Sequence, residues 1–391
     1  MKDFELCTST KIYFGREREK EAGAIIAALG CVRPLVYYGG GSAKRTGLLG
    51  AVEKSITDAG LDYAELGGVQ PNPTVEFCER TVDFIRENGC DMILAVGGGS
   101  VMDSAKIAAH CVRTGHKPWE YSTKKYSPTD SLPVGVIVTI AATGSETSDS
   151  AVLTNTALGL KRGVNFPENR PVFAIMDPEL TFSLPEYQTA CGTVDILMHT
   201  LERYMCQTQD NELIDQIAEG LCRAVIGAGR VVKEQPDDYE SRATLMFAAS
   251  LSHNGLTGAG RSVMMMAHQL EHEMGGYKDS IAHGAGLAVV WPAYLRWLWQ
   301  RGLAAERLTR MAVNIWGCPM DFARPERTAR AGIDACRAYF DYLGMPRTFA
   351  DLDLGEESIP VMAGRYASDS TRDLFAHMGR AEAEEIYRLC L

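Results

Sequence analysis

Through the first half of the chain, short apolar runs alternate with segments of helical period. PLVYYGGG leads into TGLLGAVEKSITDAG, DYAELGG into TVEFCERTVDFIRENG, and DMILAVGGGS into a further helical stretch. Compact apolar runs that end on glycine read as buried strands, and the segments between them read as crossover helices, so the alternation predicts a parallel sheet. LPVGVIVTIAATGSE and PVFAIMDPELTFSLP add two more strands, the second closed by prolines. Beyond Pro185 the period changes. NELIDQIAEGLCRAVIGAGRVV and SRATLMFAASLSHNGL repeat their apolar positions at helical spacing, and strand-like runs become scarce. The pattern predicts an α/β domain over residues 1–184 and an all-α domain over residues 185–391. A chain of 391 residues is also too long for one core and divides naturally into two halves of roughly 180 to 200 residues. Near the C-terminus, LDLGEESIPVMAGRYASDSTRD reads as a polar loop between terminal helices.

Composition narrows the function by exclusion. Hydrophobic residues make up 46% and charged residues 23%, an ordinary globular balance. A net charge of -11 with no basic stripe argues against a nucleic-acid partner, because binding a phosphate backbone needs clustered Lys and Arg. No apolar window approaches the 18 or so residues of a membrane span, and the opening MKDFELCTSTKIYFGREREK mixes both charge signs, unlike an export signal. The eleven cysteines are scattered with no CxxC pair, as expected of reduced structural thiols in a cytoplasmic protein.

The glycine runs carry the first candidate chemistry. Gly97, Gly98, Gly99 and Ser100 follow the strand MILAV and open the helix VMDSAKIAAH, which contains Asp103. Glycines let a backbone approach a pyrophosphate, and a helix N-terminus offers it free N–H groups; a plain strand-to-helix turn uses glycine too. Gly39, Gly40, Gly41 and Ser42 follow the earlier strand and precede Lys44 and Arg45, a position that suits the adenosine ribose. No carboxylate occurs between Leu35 and Leu49, whereas NAD sites place one at the ribose hydroxyls. The expectation is therefore NADP(H), with a solvated helix start as the bland account of the two cations. Thr139, Thr143, Gly144, Ser145 and Glu146 form a polar edge after VGVIV, and Lys161 adds a cation. TGSE also reads as an ordinary helix cap.

A second constellation lies in the C-terminal half. Asp195 and His199 are four residues apart in TACGTVDILMHTLERYM, hence on one helical face. In MMMAHQLEHEMGGYKDSIAHGAG, three of the eight histidines, His268, His272 and His283, fall close together. One carboxylate with three imidazoles suits a borderline divalent ion such as Fe²⁺ or Zn²⁺. Met264, Met265, Met266 and Leu270 read as core, and Glu202, His253, Glu271 and Glu273 as groups that either brace the ligands or lie on a solvated face.

These residues resemble the iron-containing (group III) alcohol dehydrogenase family along almost the whole chain. The motifs that carry the resemblance are GGGSVMDSAK at 97–106, TGSE at 143–146, GTVDILMHTLE at 192–202 and AHQLEHEMGGYKDSIAHG at 267–284. YYGGGSAKRTG at 37–47 and GVQPNP at 68–73 are similar to the NADPH-dependent butanol dehydrogenase and aldehyde reductase branch. The resemblance implies a dehydroquinate-synthase-like fold: an α/β N-terminal domain with a parallel nucleotide-binding sheet, and an all-α C-terminal domain, with the site in the cleft between them. It implies Asp195, His199, His268 and His283 as metal ligands, His272 beside nicotinamide and substrate, Gly39, Gly40 and Ser42 at the 2′-phosphate, Asn72 at the ribose, and a homodimer. His253 is outside that pattern. The expected chemistry is hydride transfer from NADPH to a small aliphatic aldehyde whose oxygen is polarised by the ion, with His272 supplying the proton. The alternatives are a lyase or hydrolase built on the same ion, and a metal-stabilised binding protein.

Overall fold

The computed structural model describes residues 1–208, 210–366 and 375–391. Two compact units emerge: Cys7–Leu184, and Pro185–Leu391 together with Met1–Leu6. The first residues belong with the helical unit because Lys2 N–H donates to the Gly260 carbonyl at 2.9 Å.

In the first unit, β1 (Lys11–Phe14), β2 (Pro34–Tyr38), β3 (Ala64–Leu66), β4 (Met92–Gly97), β5 (Val134–Val138) and β8 (Phe173–Met176) form one parallel sheet in the order β1-β8-β5-β4-β2-β3. Every residue of β2, β4 and β5 is buried, as uninterrupted apolar runs in a doubly covered parallel sheet require. The strand order reverses between β2 and β4, and ligands in open α/β sheets bind outside the carboxyl ends at such a reversal. Both glycine runs follow these two strands. The antiparallel hairpin β6 (Ser150–Asn155) and β7 (Leu160–Asn165) stands apart from the sheet and is anchored by the Thr154 N–H donating to Pro73 O at 2.9 Å.

All named strands lie in the first unit, and the second is helical. Its long elements include Glu186–Tyr204, Glu212–Glu234, Tyr239–His253, Met266–Tyr277, His283–Gln300 and Pro325–Tyr342. Two positions show why the 283–300 helix packs where it does. A Cβ at Gly284 would collide with the Cys191 backbone, and one at Gly286 would stand 2.7 Å from Glu271 Cγ. The missing side chains let this helix lie against both the 186–204 and the 266–277 helices. The loop expected near the C-terminus contains a helix, Ile359–Arg365, with a proline in its first turn. Ile359, Met362 and Ala363 are buried at helical spacing, an apolar stripe that the polar flanks concealed. The last part of that expected loop, residues 367–373, lies outside the described residues.

Candidate metal centre and nucleotide edge

Asp195 and His199 stand one turn apart on the 186–204 helix and are both buried. His268 lies in the first turn of the 266–277 helix, and His283 begins the 283–300 helix. Asp195, His199 and His268 place ligating atoms within 4.8 Å of one another, and His283 approaches Asp195 from a second group that it forms with Glu271 and His272. Asp195 Oδ1 is 3.5 Å from His199 Nδ1, 3.5 Å from His268 Nε2 and 3.7 Å from His283 Nε2. Ligand atoms held about 2.1 Å from one ion at tetrahedral angles stand about 3.4 Å apart, so each imidazole lies at about the separation from Asp195 that a shared ion would set.

The proton inventory makes the same case independently. Glu202 accepts from His268 Nδ1 and also from the Ala267 N–H at 2.6 Å, so one buried carboxylate caps the 266–277 helix and orients its imidazole. Glu271 accepts from His283 Nδ1. With each Nδ1 committed as a donor, both Nε2 lone pairs face Asp195 Oδ1, an arrangement that repels unless a cation lies among them. Asp195 Oδ1, His199 Nδ1 and His268 Nε2 have no hydrogen-bond partner among the described residues although all are buried. Three orphaned polar atoms aimed at one another are the mark of a cation site. Burial alone would depress His268, but Glu202 and Asp195 overcome it and take the imidazole up to about 9, so the local field favours positive charge. His199 is pushed well below its ordinary value by burial and by the neighbouring imidazoles, which keeps it neutral and able to ligate. The residues present therefore fit a divalent metal.

The His283 side chain is 23% exposed, against 3% for Asp195, so the cluster opens on that side. His272 lies there, half-buried, with its ring centroid 5.8 Å from that of His283. Ligating atoms of Glu271, His272 and His283 fall within 4.8 Å of one another. His253 stacks on His199 with ring centroids 4.0 Å apart. Glu202 and Glu271 turn out to be buried braces rather than solvated carboxylates.

In the first unit, the sheet order brings the candidate nucleotide loops together. Gly98 caps the Gly99–Thr114 helix without a side-chain hydrogen bond, leaving its first turn open to a ligand. A Cβ on Gly98 would come 2.5 Å from Ile140 Cγ2 and one on Gly99 2.6 Å from Thr143 Cγ2, so the GGGS turn and the 139–145 loop touch only because these residues are glycine. Thr139 N–H donates to Gly97 O at 3.1 Å, and Gly39 lies against Val101 and Val69. Gly40, Gly41, Ser42 and Ser100 are exposed or half-buried along this edge. Asn72 adopts a left-handed backbone, φ 55°, next to Pro73, and Lys161 is paired across the hairpin with Thr154, which bonds Pro73.

Asp103 and Ser145 are engaged internally. Ser145 Oγ donates to Asp103 Oδ1 at 2.6 Å, and Asp103 Oδ2 accepts the Val152 N–H at 3.0 Å. Lys106, buried on the same helix, donates to Ser145 Oγ at 2.7 Å and to the carbonyls of Ser148 and Ser150 at 3.2 and 2.8 Å. Lys106 was not singled out from sequence, though a lysine amid VMDSAKIAAH was signal enough that its charge is buried and paired. Burial pulls its ammonium down to about 8 against the opposing pull of Asp103.

A parallel sheet with glycine loops at its switch point, and a buried carboxylate–histidine cluster shaped for one ion, define the class: a metal-dependent enzyme that binds a nucleotide. Residues 9–178 match the iron-containing alcohol dehydrogenase family and residues 189–390 its C-terminal domain, and the chain belongs to that family. The NADH-dependent butanol dehydrogenase A of Clostridium acetobutylicum is 35% identical over 95% of this chain and 94% of its own. The NADPH-dependent aldehyde reductase YqhD of Escherichia coli is 34% identical over 93% of this chain and 92% of its own. The crystal structure of NADH-dependent butanol dehydrogenase A from Thermotoga maritima superposes with a TM-score of 0.94 at 32% identity, covering 100% of this chain and 99% of that one. The protein is thus a hydride-transferring alcohol dehydrogenase or aldehyde reductase that uses a nicotinamide cofactor and an iron-type metal. Nothing among these relatives supports a lyase.

Proposed function

We propose that this protein reduces small aliphatic aldehydes to primary alcohols with NADPH, and runs the reverse oxidation when alcohol is in excess. The observation that carries the reading is the convergence of His199, His268 and His283 on Asp195 Oδ1. When bound, Fe²⁺, or Zn²⁺ in its place, supplies Lewis acidity to the carbonyl oxygen while the nicotinamide supplies hydride. Asp195, His199, His268 and His283 hold the ion, and Glu202 and Glu271 keep two of those imidazoles in the ligating tautomer. His272, at the open side of the cluster, passes a proton from solvent to the product oxygen. Gly97 to Ser100, Thr139 and Thr143 receive the pyrophosphate and nicotinamide amide, with Lys161 and Asn72 toward the ribose. Asp103 and Ser145 act by holding these loops together.

The preference for NADP(H) is supported by the carboxylate-free loop Gly39–Gly40–Gly41–Ser42 and by Arg45, whose guanidinium lies over Gly41. The names of the relatives divide between the two coenzymes, and the loop chemistry is what supports NADP(H) for this chain. A cytoplasmic homodimer completes the reading; eleven free cysteines fit a reducing compartment. Purified protein of known metal content, mixed with butanal and either NADPH or NADH, tests it. Loss of reduced-nicotinamide absorbance faster with NADPH is the expected result. No loss with either coenzyme at full metal occupancy would refute the proposal.

A further inference from the structure

The ribose end of the nucleotide edge carries a carboxylate that its loop lacks. Glu65 lies on β3, opposite Val36 of β2 in the parallel register. Tyr38, the last residue of β2, donates its phenolic O–H to Glu65 Oε1. Lys44 Nζ pairs with the same oxygen at 2.6 Å and sits 5.2 Å from the Tyr38 ring centroid. Gly68 N–H donates to Gly39 O at 2.9 Å, and a Cβ on Gly67 would strike the Tyr38 ring, so the end of β3 is pinned to the glycine loop. Glu65 is therefore part of this edge although it is distant in sequence.

The two cations after the loop differ in state. Lys44 is tethered to Glu65, whereas Arg45 lies over Gly41 with no ion pair among the described residues. From this juxtaposition we infer that Glu65 sets the strength of the coenzyme preference, holding Lys44 back from a ribose 2′-phosphate and offering its remaining oxygen to a ribose 2′-hydroxyl. The inference rests on the reading of Gly39–Ser42 as the ribose end, and within that reading Glu65 opposes Arg45. Both effects of the carboxylate favour NAD(H); the bare loop and Arg45 favour NADP(H). The Lys44 and Glu65 side chains are 55% and 32% exposed, so water competes for the pair and Lys44 can exchange Glu65 for a phosphate at little cost. The chain then accepts both coenzymes, with NADP(H) ahead.

Fluorescence titration with NADPH and with NADH gives both dissociation constants on the intact protein. Glu65→Gln keeps an acceptor for Tyr38 and removes the charge; it shifts the ratio toward NADPH by about threefold to tenfold, less in high salt. Lys44→Gln shifts it toward NADH by a similar factor. Gly40→Asp is the control for the underlying reading, because a Cβ there meets nothing within 4 Å. A carboxylate placed in the loop moves the ratio strongly toward NADH if the loop faces the ribose. If Gly40→Asp does so while Glu65→Gln leaves the ratio unchanged or moves it toward NADH, the inference is overturned and the reading stands. If Gly40→Asp has no effect, the ribose-end reading falls and takes the inference with it.

Discussion

The proposed metal centre of the helical unit and the proposed nucleotide edge of the α/β unit address the same problem, holding a charged group, with opposite materials. The first uses side chains: three imidazoles directed at Asp195 Oδ1, each fixed by burial or by a carboxylate behind it. The second uses backbone: glycines that let two loops touch and a helix end left uncapped. The difference lies in how each fails. A side-chain site loses its ion when one group is removed, because the others are left as unpaired buried polar atoms. A backbone site loses affinity by degrees, as each intruding methyl displaces the ligand slightly.

The largest effect that would sharpen this contrast comes from stripping the metal with a chelator. Turnover falls by at least about a thousandfold, since several kcal/mol of charge stabilisation vanish, while NADPH affinity measured by fluorescence changes by less than about twofold. Parallel loss of both would break the comparison. Next, Glu271→Gln keeps the shape behind His283 and removes the charge. Competition against a chromophoric chelator should show metal affinity weakened about tenfold or more, with coenzyme binding intact. On the other side, Gly99→Ala places a methyl 2.6 Å from Thr143 Cγ2. NADPH binding weakens about tenfold, in line with ordinary overpacking costs, and metal affinity does not move.

The smallest effect concerns Lys106. Its folded-state pKa of about 8 lies below its ordinary 10.5. Between those values the unfolded chain keeps a proton that the folded chain has released, so stability rises with pH across that window. Lys106→Met lacks this rise. The melting temperature of the natural protein, compared with that variant, should gain steadily from pH 8 to 10; a flat difference would mean that Asp103 and the hydrogen bonds to Lys106 fully offset its desolvation.

The two regions were also unequally legible. The approach of His199, His268 and His283 to Asp195 was legible because ligation restricts residue type and helical spacing restricts position. The strands PLVYY, MILAV and VGVIV were equally plain, since a strand buried on both faces admits only apolar residues. What stayed hidden was set by distant partners. Glu65 drew no attention because its register with β2 is a property of the sheet. Glu202 and Glu271 read equally as solvated carboxylates until the helices facing them were in place. Gly284 and Gly286 gave no sign of the close helix contacts they permit, and the 359–365 helix hid in a polar stretch because three buried residues hold it.

The central claim is that four side chains bind one ion, and metal binding to His268→Ala tests it most directly. Equilibrium dialysis of metal-free protein against Co²⁺ should give a single tight site in the natural chain. The variant should bind at least about a hundredfold more weakly, and its reduction of butanal should be lost in the same proportion. A variant that binds Co²⁺ as tightly as the natural protein, or reduces butanal at the natural rate, would contradict the account.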